Sequence, residues 1–137
     1  MGATAIAGLV GPAWSGAPRA IGIVAGAGLL GAGGLLTGRG VLDLGANLTV
    51  FPKPLQSTRL VETGAYRLVR HPIYGGLILA AFGWGLVAAA PLVLAGAVVL
   101  AALFDLKSRR EEVWLLEQLD GYDRYRARTR RLLPWLY

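Results

Sequence analysis

The chain has a single histidine, His71, held between Arg70 and Pro72, with Tyr66 and Tyr74 nearby and an apolar run starting at once. Charged and aromatic groups set this tightly against an apolar segment are costly unless something binds or pairs them. Pro72 fixes its own backbone angle and pushes His71 towards an extended conformation, so the imidazole sits on a stiff bend at the mouth of a helix. Further on, Glu111-Glu112 follows the end of another apolar run. A histidine, two tyrosines and a carboxylate at one membrane depth suit a small ligand with cationic and polar parts. The carboxylate would hold an ammonium or ribose hydroxyls by charge-assisted hydrogen bonds. The tyrosines would offer flat faces to a ring or a sulfonium. Plainer readings exist for both halves. Arg67, Arg70, His71 and Tyr74 could anchor a helix in the headgroup layer. Glu111-Glu112 could be a solvated helix face paired with Lys107 and Arg109.

The elements that must position these residues are apolar. Of 137 residues, enough for one domain, 55% are hydrophobic and 16% charged, and the mean hydropathy is +0.53. A soluble domain carries roughly a quarter charged residues, so composition indicates a membrane protein. The net charge of +6 comes from 14 Lys+Arg against 8 Asp+Glu. These arginines flank apolar helices, which an anionic membrane surface explains better than nucleic acid does. The chain has no cysteine, which excludes disulfides and thiolate metal sites, and no metal is expected.

The order of the chain predicts an all-α, polytopic fold with about three transmembrane helices. Residues 1–18 are apolar but interrupted by glycines and prolines, and read as a short interfacial or partly inserted segment. Residues 20–37 are uncharged and glycine-rich and form the first span. Gly26-Ala27-Gly28-Leu29-Leu30-Gly31 matches a dinucleotide-binding fingerprint literally, but without the strand–turn–helix context that the chemistry requires. The Gly22/Gly26 and Gly34/Gly38 spacings instead suit close helix packing, with a homodimer through this helix one use for them. A polar connection follows over 38–71, in which Pro52 and Pro54 preclude a regular helix. Residues 72–90 and 91–106 form two further spans joined at Ala88-Ala89-Ala90-Pro91. Lys107 to Leu119 continues as a helix with Asp105/Arg109 and Lys107/Glu111 spaced i, i+4. Asp120-Gly121 stops it, a short C-terminal helix restarts, and the arginine-rich end with Trp135 and Tyr137 reads as an amphipathic surface anchor. Positive residues cluster in the 38–71 connection and the 107–137 tail, so both should face the cytoplasm, with the bacterial inner membrane the expected location.

Taken together, Leu60-Val61-x-x-Gly64-x-Tyr66-x-x-x-Arg70-His71-Pro72-x-Tyr74, then Glu111-Glu112, Tyr122-x-x-Tyr125 and a terminal Arg-Arg-x-x-Pro resemble the isoprenylcysteine carboxyl methyltransferase family. That family is related to the phospholipid N-methyltransferases, and the resemblance covers about residues 38–137. It implies an integral membrane methyltransferase that uses S-adenosylmethionine without a Rossmann domain. It also implies a cofactor pocket lined by Leu60, Val61, Tyr66, His71, Pro72, Ile73 and Tyr74. Glu111 or Glu112 would be a further cofactor ligand; the choice between them stays open. Arg70 and Lys107 would face the substrate, Lys107 standing where some members carry arginine. The acceptor, a carboxylate, hydroxyl or amine, should be lipophilic and enter sideways from the membrane.

Two alternatives come from other classes. Membrane sterol reductases carry a similar His-Pro-x-Tyr element, but Ile73 and Leu77 replace an asparagine and a glutamate typical of that group. A non-catalytic membrane scaffold would explain the basic loops while leaving His71, Tyr74 and the glutamates without a role.

Overall fold

The structure, a computed structural model, describes residues 14–45, 59–134 and 136. Its elements are helix α1 (Gly16–Leu44), a 3-10 turn (Gly64–Arg67), α2 (Pro72–Ala88), α3 (Pro91–Gln118) and α4 (Tyr122–Arg128). Among the described residues the one extended pairing is an isolated parallel bridge between Val69 and Arg130. The fold is all-α. Helices α1 and α3 are long and apolar enough to cross a membrane, and only 17% and 11% of their most apolar windows is buried within the chain. Apolar faces left outward at this length suit lipid. At 17 residues, α2 spans about 26 Å, a little short of a hydrocarbon core of roughly 30 Å.

Two boundaries differ from the expectation. Most of the expected interfacial segment lies outside the described residues, and α1 begins at Gly16. At its other end α1 passes Thr37, where the apolar run stops, and continues to Leu44. The polar connection therefore does not start at Gly38. Val41, Leu42 and Leu44 propagate a helix readily, and no proline interrupts before Gly45, whose φ of +51° ends it in a left-handed turn. Pro52, Lys53 and Pro54 lie outside the described residues.

Residues 1–35 and 76–102 form one compact unit. Its helices meet backbone to backbone. A Cβ added to Gly26 would lie 2.6 Å from the Gly83 carbonyl oxygen, and one on Gly83 would lie 2.7 Å from that of Gly26. Gly33 abuts Gly76 and Ala80 in the same way, and Gly22 abuts the Leu86 carbonyl and the Trp14 ring. The Gly22/Gly26 spacing is thus taken up by the chain's own α2, while positions 34 and 38 meet nothing within 4 Å. The literal dinucleotide fingerprint lies wholly inside α1. Arg19 donates a hydrogen bond to the Val87 carbonyl, one of those left without a helical partner in the last turn of α2. Pro91 opens α3, as its place at a first helical position predicts.

Residues 36–75 and 103–137 form the second unit. Here polar contacts dominate. Asp43, near the end of α1, accepts a hydrogen bond from the Ala65 N–H at 2.7 Å. Its carboxylate fills the space where a side chain on Gly64 (φ +59°) would begin. Both facts require glycine there. Gly121 turns the chain between α3 and α4 with φ +82°. The four-residue run Asp120–Asp123 thus stops and restarts the helix where the sequence indicates.

Candidate active site

His71 enters the site on backbone held from outside its own helix. As residue before Pro72 it is not helical, and its N–H has no helical acceptor. That N–H donates instead to the Arg131 carbonyl at 2.9 Å, and the Arg70 N–H donates to the Arg130 carbonyl at 2.8 Å. Pro72 is fully buried. It packs with Ile73 against Gly40 of α1, where no side chain intervenes.

The imidazole lies between two carboxylates contributed by α3. Nδ1 is 3.6 Å from Glu111 Oε2, and Nε2 is 3.4 Å from Glu112 Oε1. Residues far apart in sequence therefore meet within one contact shell. The two glutamates then diverge. The Glu112 side chain is 3% exposed and lies 2.7 Å from Arg70 Nε, with Arg126 Nε and Arg131 Nε each at 3.5 Å. Burial by itself would raise the Glu112 carboxyl. The adjacent His71 and the hydrogen-bonded, charged Arg70 outweigh it and hold the group down at about 2. Glu111 is more accessible, with 15% of its side chain exposed. It accepts a hydrogen bond from the Tyr74 hydroxyl at 2.7 Å, and Lys107 Nζ stands 3.8 Å away.

The rings form a stack beside this carboxylate. His71 and Tyr74 are parallel with centroids 5.5 Å apart, Tyr74 and Phe104 parallel at 4.7 Å. The Lys107 ammonium lies 5.0 Å from the Tyr74 ring centre, a cation–π distance. Tyr66 is buried in the 3-10 turn, its carbonyl accepting the Tyr125 hydroxyl at 2.6 Å. Burial, then the negative charges of Asp43 and Glu111, push the Tyr66 hydroxyl well above the ordinary tyrosine range.

The structure thus brings together His71, Tyr74, Glu111, Glu112 and Lys107, while the hydrogen bonds of Tyr66 tie it to Thr63 and to α4. Leu60 and Val61 are half-buried in the stretch before the turn; the polar and ring contacts just described involve neither. Arg70 is turned inward, 8% exposed. Besides Glu112, its guanidinium donates to the Arg126 carbonyl at 3.1 Å and to the Thr129 carbonyl.

Sequence reasoning gave no place in the site to Asp43, Asp105, Tyr125, Arg126 or Arg131, although Tyr125 and Arg131 fall within the quoted motif and Asp105 was paired with Arg109. Asp105 and Glu112 sit two helical turns apart on one face of α3, and Arg131 reaches both, at 3.1 and 3.5 Å. Arg128 pairs with Glu62 at 2.6 Å, and Tyr122 and Tyr125 are buried. Part of the segment expected to anchor on the membrane surface thus also packs on the chain itself: Tyr122, Tyr125 and Leu132 are buried, and Arg126 and Arg131 reach the buried Glu112, while Arg124, Arg128 and Arg130 stay exposed. Trp135 and Tyr137 lie outside the described residues. The legible signal was the surplus of arginines at the end of a chain that carries two adjacent glutamates on one helix.

No curated protein sequence matches the chain. A family model described as phospholipid methyltransferase matches residues 21–120, a stretch that contains His71, Tyr74 and both glutamates. The chain, an all-helical membrane protein, belongs to the phospholipid methyltransferase family.

Proposed function

We propose that the chain transfers a methyl group from S-adenosylmethionine to a lipophilic acceptor at the cytoplasmic face of the membrane, with Glu111 as the ligand-facing carboxylate. The observation that carries this is the seat formed by Tyr74 and Glu111. An aromatic ring and a partly exposed carboxylate, joined by a 2.7 Å hydrogen bond, converge where the chain's own Lys107 ammonium already lies. The donor set therefore fits a cofactor with a cationic portion. Tyr66, His71 and Tyr74 would line that pocket, with Leu60, Val61, Pro72 and Ile73 adding apolar surface. When bound, the cofactor would supply a methyl group on positively charged sulfur, released to the acceptor as the carbon–sulfur bond breaks.

What the chain supplies is placement. In-line displacement with loss of charge needs alignment and exclusion of water more than it needs side-chain chemistry. A carboxylate acceptor needs no base, while a hydroxyl or amine must lose a proton; His71 is assigned to holding the carboxylates rather than to moving that proton. Glu112, hydrogen-bonded to Arg70 and flanked by Arg126 and Arg131 of the tail, is assigned to holding the site in shape. Arg70, expected from the sequence to face the substrate, is reassigned with it. Lys107, with 41% of its side chain exposed, remains the residue for an anionic group of the acceptor. The basic residues of the 38–71 connection and the tail support the cytoplasmic orientation, and a bacterial inner membrane is the setting proposed. Positions 34 and 38 of α1, open in the structure, are the ones reserved for contact with a second copy.

The test is calorimetric titration of the detergent-purified chain with S-adenosylhomocysteine, the product of methyl transfer, with Glu111→Gln and Tyr74→Phe as controls. Saturable binding weakened by both substitutions is expected. A wild-type protein that binds neither this compound nor S-adenosylmethionine in lipid nanodiscs would defeat the reading.

A further inference from the structure

The family match ends at residue 120, yet the cluster around His71 is closed by residues beyond it. The peptide around Arg130 and Arg131 runs beside Val69–His71 as a parallel bridge. It provides the acceptors for the Arg70 and His71 N–H groups. Gly75, in the first turn of α2, lies directly against the Leu132 carbonyl, in the space a side chain would need. Tyr125 ties α4 to Tyr66. The segment from Tyr122 to Leu132 thus straps the histidine-bearing bend from outside.

Within this strap Arg126 and Arg131 both touch the two halves of the site, Arg126 through the Arg70 guanidinium and Glu112, but it is Arg131 that holds the backbone of His71 itself. Its carbonyl holds the His71 N–H at 2.9 Å. Its guanidinium lies along α3, 3.1 Å from Asp105 Oδ1 and 3.5 Å from Glu112 Oε1. One residue therefore links the backbone of His71 to the helix face that carries the glutamates. Arginine suits this better than lysine, since its planar fork can bond Asp105 at fixed geometry while its charge lies beside Glu112.

We propose that Arg131 is a positioning residue of the methyl-transfer site. By fixing His71 through its backbone and Glu112 through its side chain, it keeps Glu112 engaged and leaves Glu111 as the carboxylate presented to the ligand. The inference rests on the proposed cofactor site, but concerns residues outside the matched family region. A strut that only stabilised the fold would alter unfolding and leave ligand affinity in the folded protein unchanged. A positioning residue must alter affinity in protein that is still folded.

The experiment measures S-adenosylhomocysteine binding by the full chain in nanodiscs, alongside thermal unfolding, for wild type, Arg131→Met, Arg131→Lys, Asp105→Asn and the Arg131→Met/Asp105→Asn pair. Asp105→Asn loosens the far end of the strut while leaving Arg131 and Glu112 in place, so it serves even where Arg131→Met does not fold. The expected result is an affinity loss of about tenfold for Arg131→Met, the size of one charge-assisted hydrogen bond. Asp105→Asn should give a smaller loss, Arg131→Lys a partial rescue, and the double variant less than the product of the singles. Wild-type affinity in folded Asp105→Asn and in folded Arg131→Met or Arg131→Lys would overturn the assignment to Arg131 while leaving the cofactor site standing. No binding by the wild type would overturn the site itself and this inference with it.

Discussion

Each of the two compact units of this chain is held together internally by a different means. In the unit of residues 1–35 and 76–102, glycines bring helix backbones together, and Arg19 on the Val87 carbonyl is a polar exception. In the unit of residues 36–75 and 103–137, buried charges, tyrosine hydroxyls and a strap of tail backbone do the work. The difference follows from the surroundings each must tolerate. Between apolar helices in lipid there is no hydrophobic driving force, so close van der Waals contact between small residues is what holds helices together. A charged cluster instead brings directional bonds, which fix positions at the cost of desolvation. The first unit needs proximity; the second needs geometry, as a site would.

The sharpest way to break the contrast is Glu112→Ala. It would strand Arg70 with a buried charge beside His71, and a loss of about 3–5 kcal/mol is expected in chemical unfolding. The acid limb of stability tests the same pair without mutation. The Glu112 carboxyl is held down at about 2 against an ordinary 4.5. A depressed folded-state value stabilises above the unfolded one, so this contribution is complete above about pH 5 and is lost as pH falls towards 2. On the order of 3 kcal/mol is at stake. An acid unfolding profile that Glu112→Gln leaves unchanged would contradict it.

In the other unit, Gly26→Val should cost about 1–3 kcal/mol by forcing α1 away from Gly83, read as a lower thermal midpoint. The same change at Gly34 should leave that midpoint nearly unmoved. Smaller still in stability is Glu111→Gln, which should lower S-adenosylhomocysteine affinity roughly tenfold with little change in unfolding, the reverse of Glu112→Gln. Lys107→Met should have the least effect, raising the KM for an anionic lipid acceptor by about twofold to fivefold, as expected of a partly exposed charge.

How much of this was legible depended on whether the signal was local. The helices announced themselves by apolar runs, the stop at Gly121 and the start at Pro91 by backbone chemistry, and the pairing of His71 with the glutamates by residue type and depth. The extension of α1 to Leu44 was missed because charged residues were read as a loop, although Arg39 and Asp43 disturb no helix. The reach of Arg126 and Arg131 to Glu112 was missed because an arginine looks the same whether it meets a headgroup or a buried carboxylate.

The sequence by itself determined an all-helical membrane chain, the bend at His71-Pro72 and the carriage of both glutamates on one helix, since these follow from composition, periodicity and the fixed angle of proline. Only the tertiary structure decided that Glu112 is buried and Glu111 accessible, that Arg70 faces inward, and that Arg131 closes the cluster. Two adjacent glutamates have the same chemistry, and helix geometry turns neighbouring residues about 100° apart. Which one meets the arginines depends on where the tail docks, and no local pattern records that.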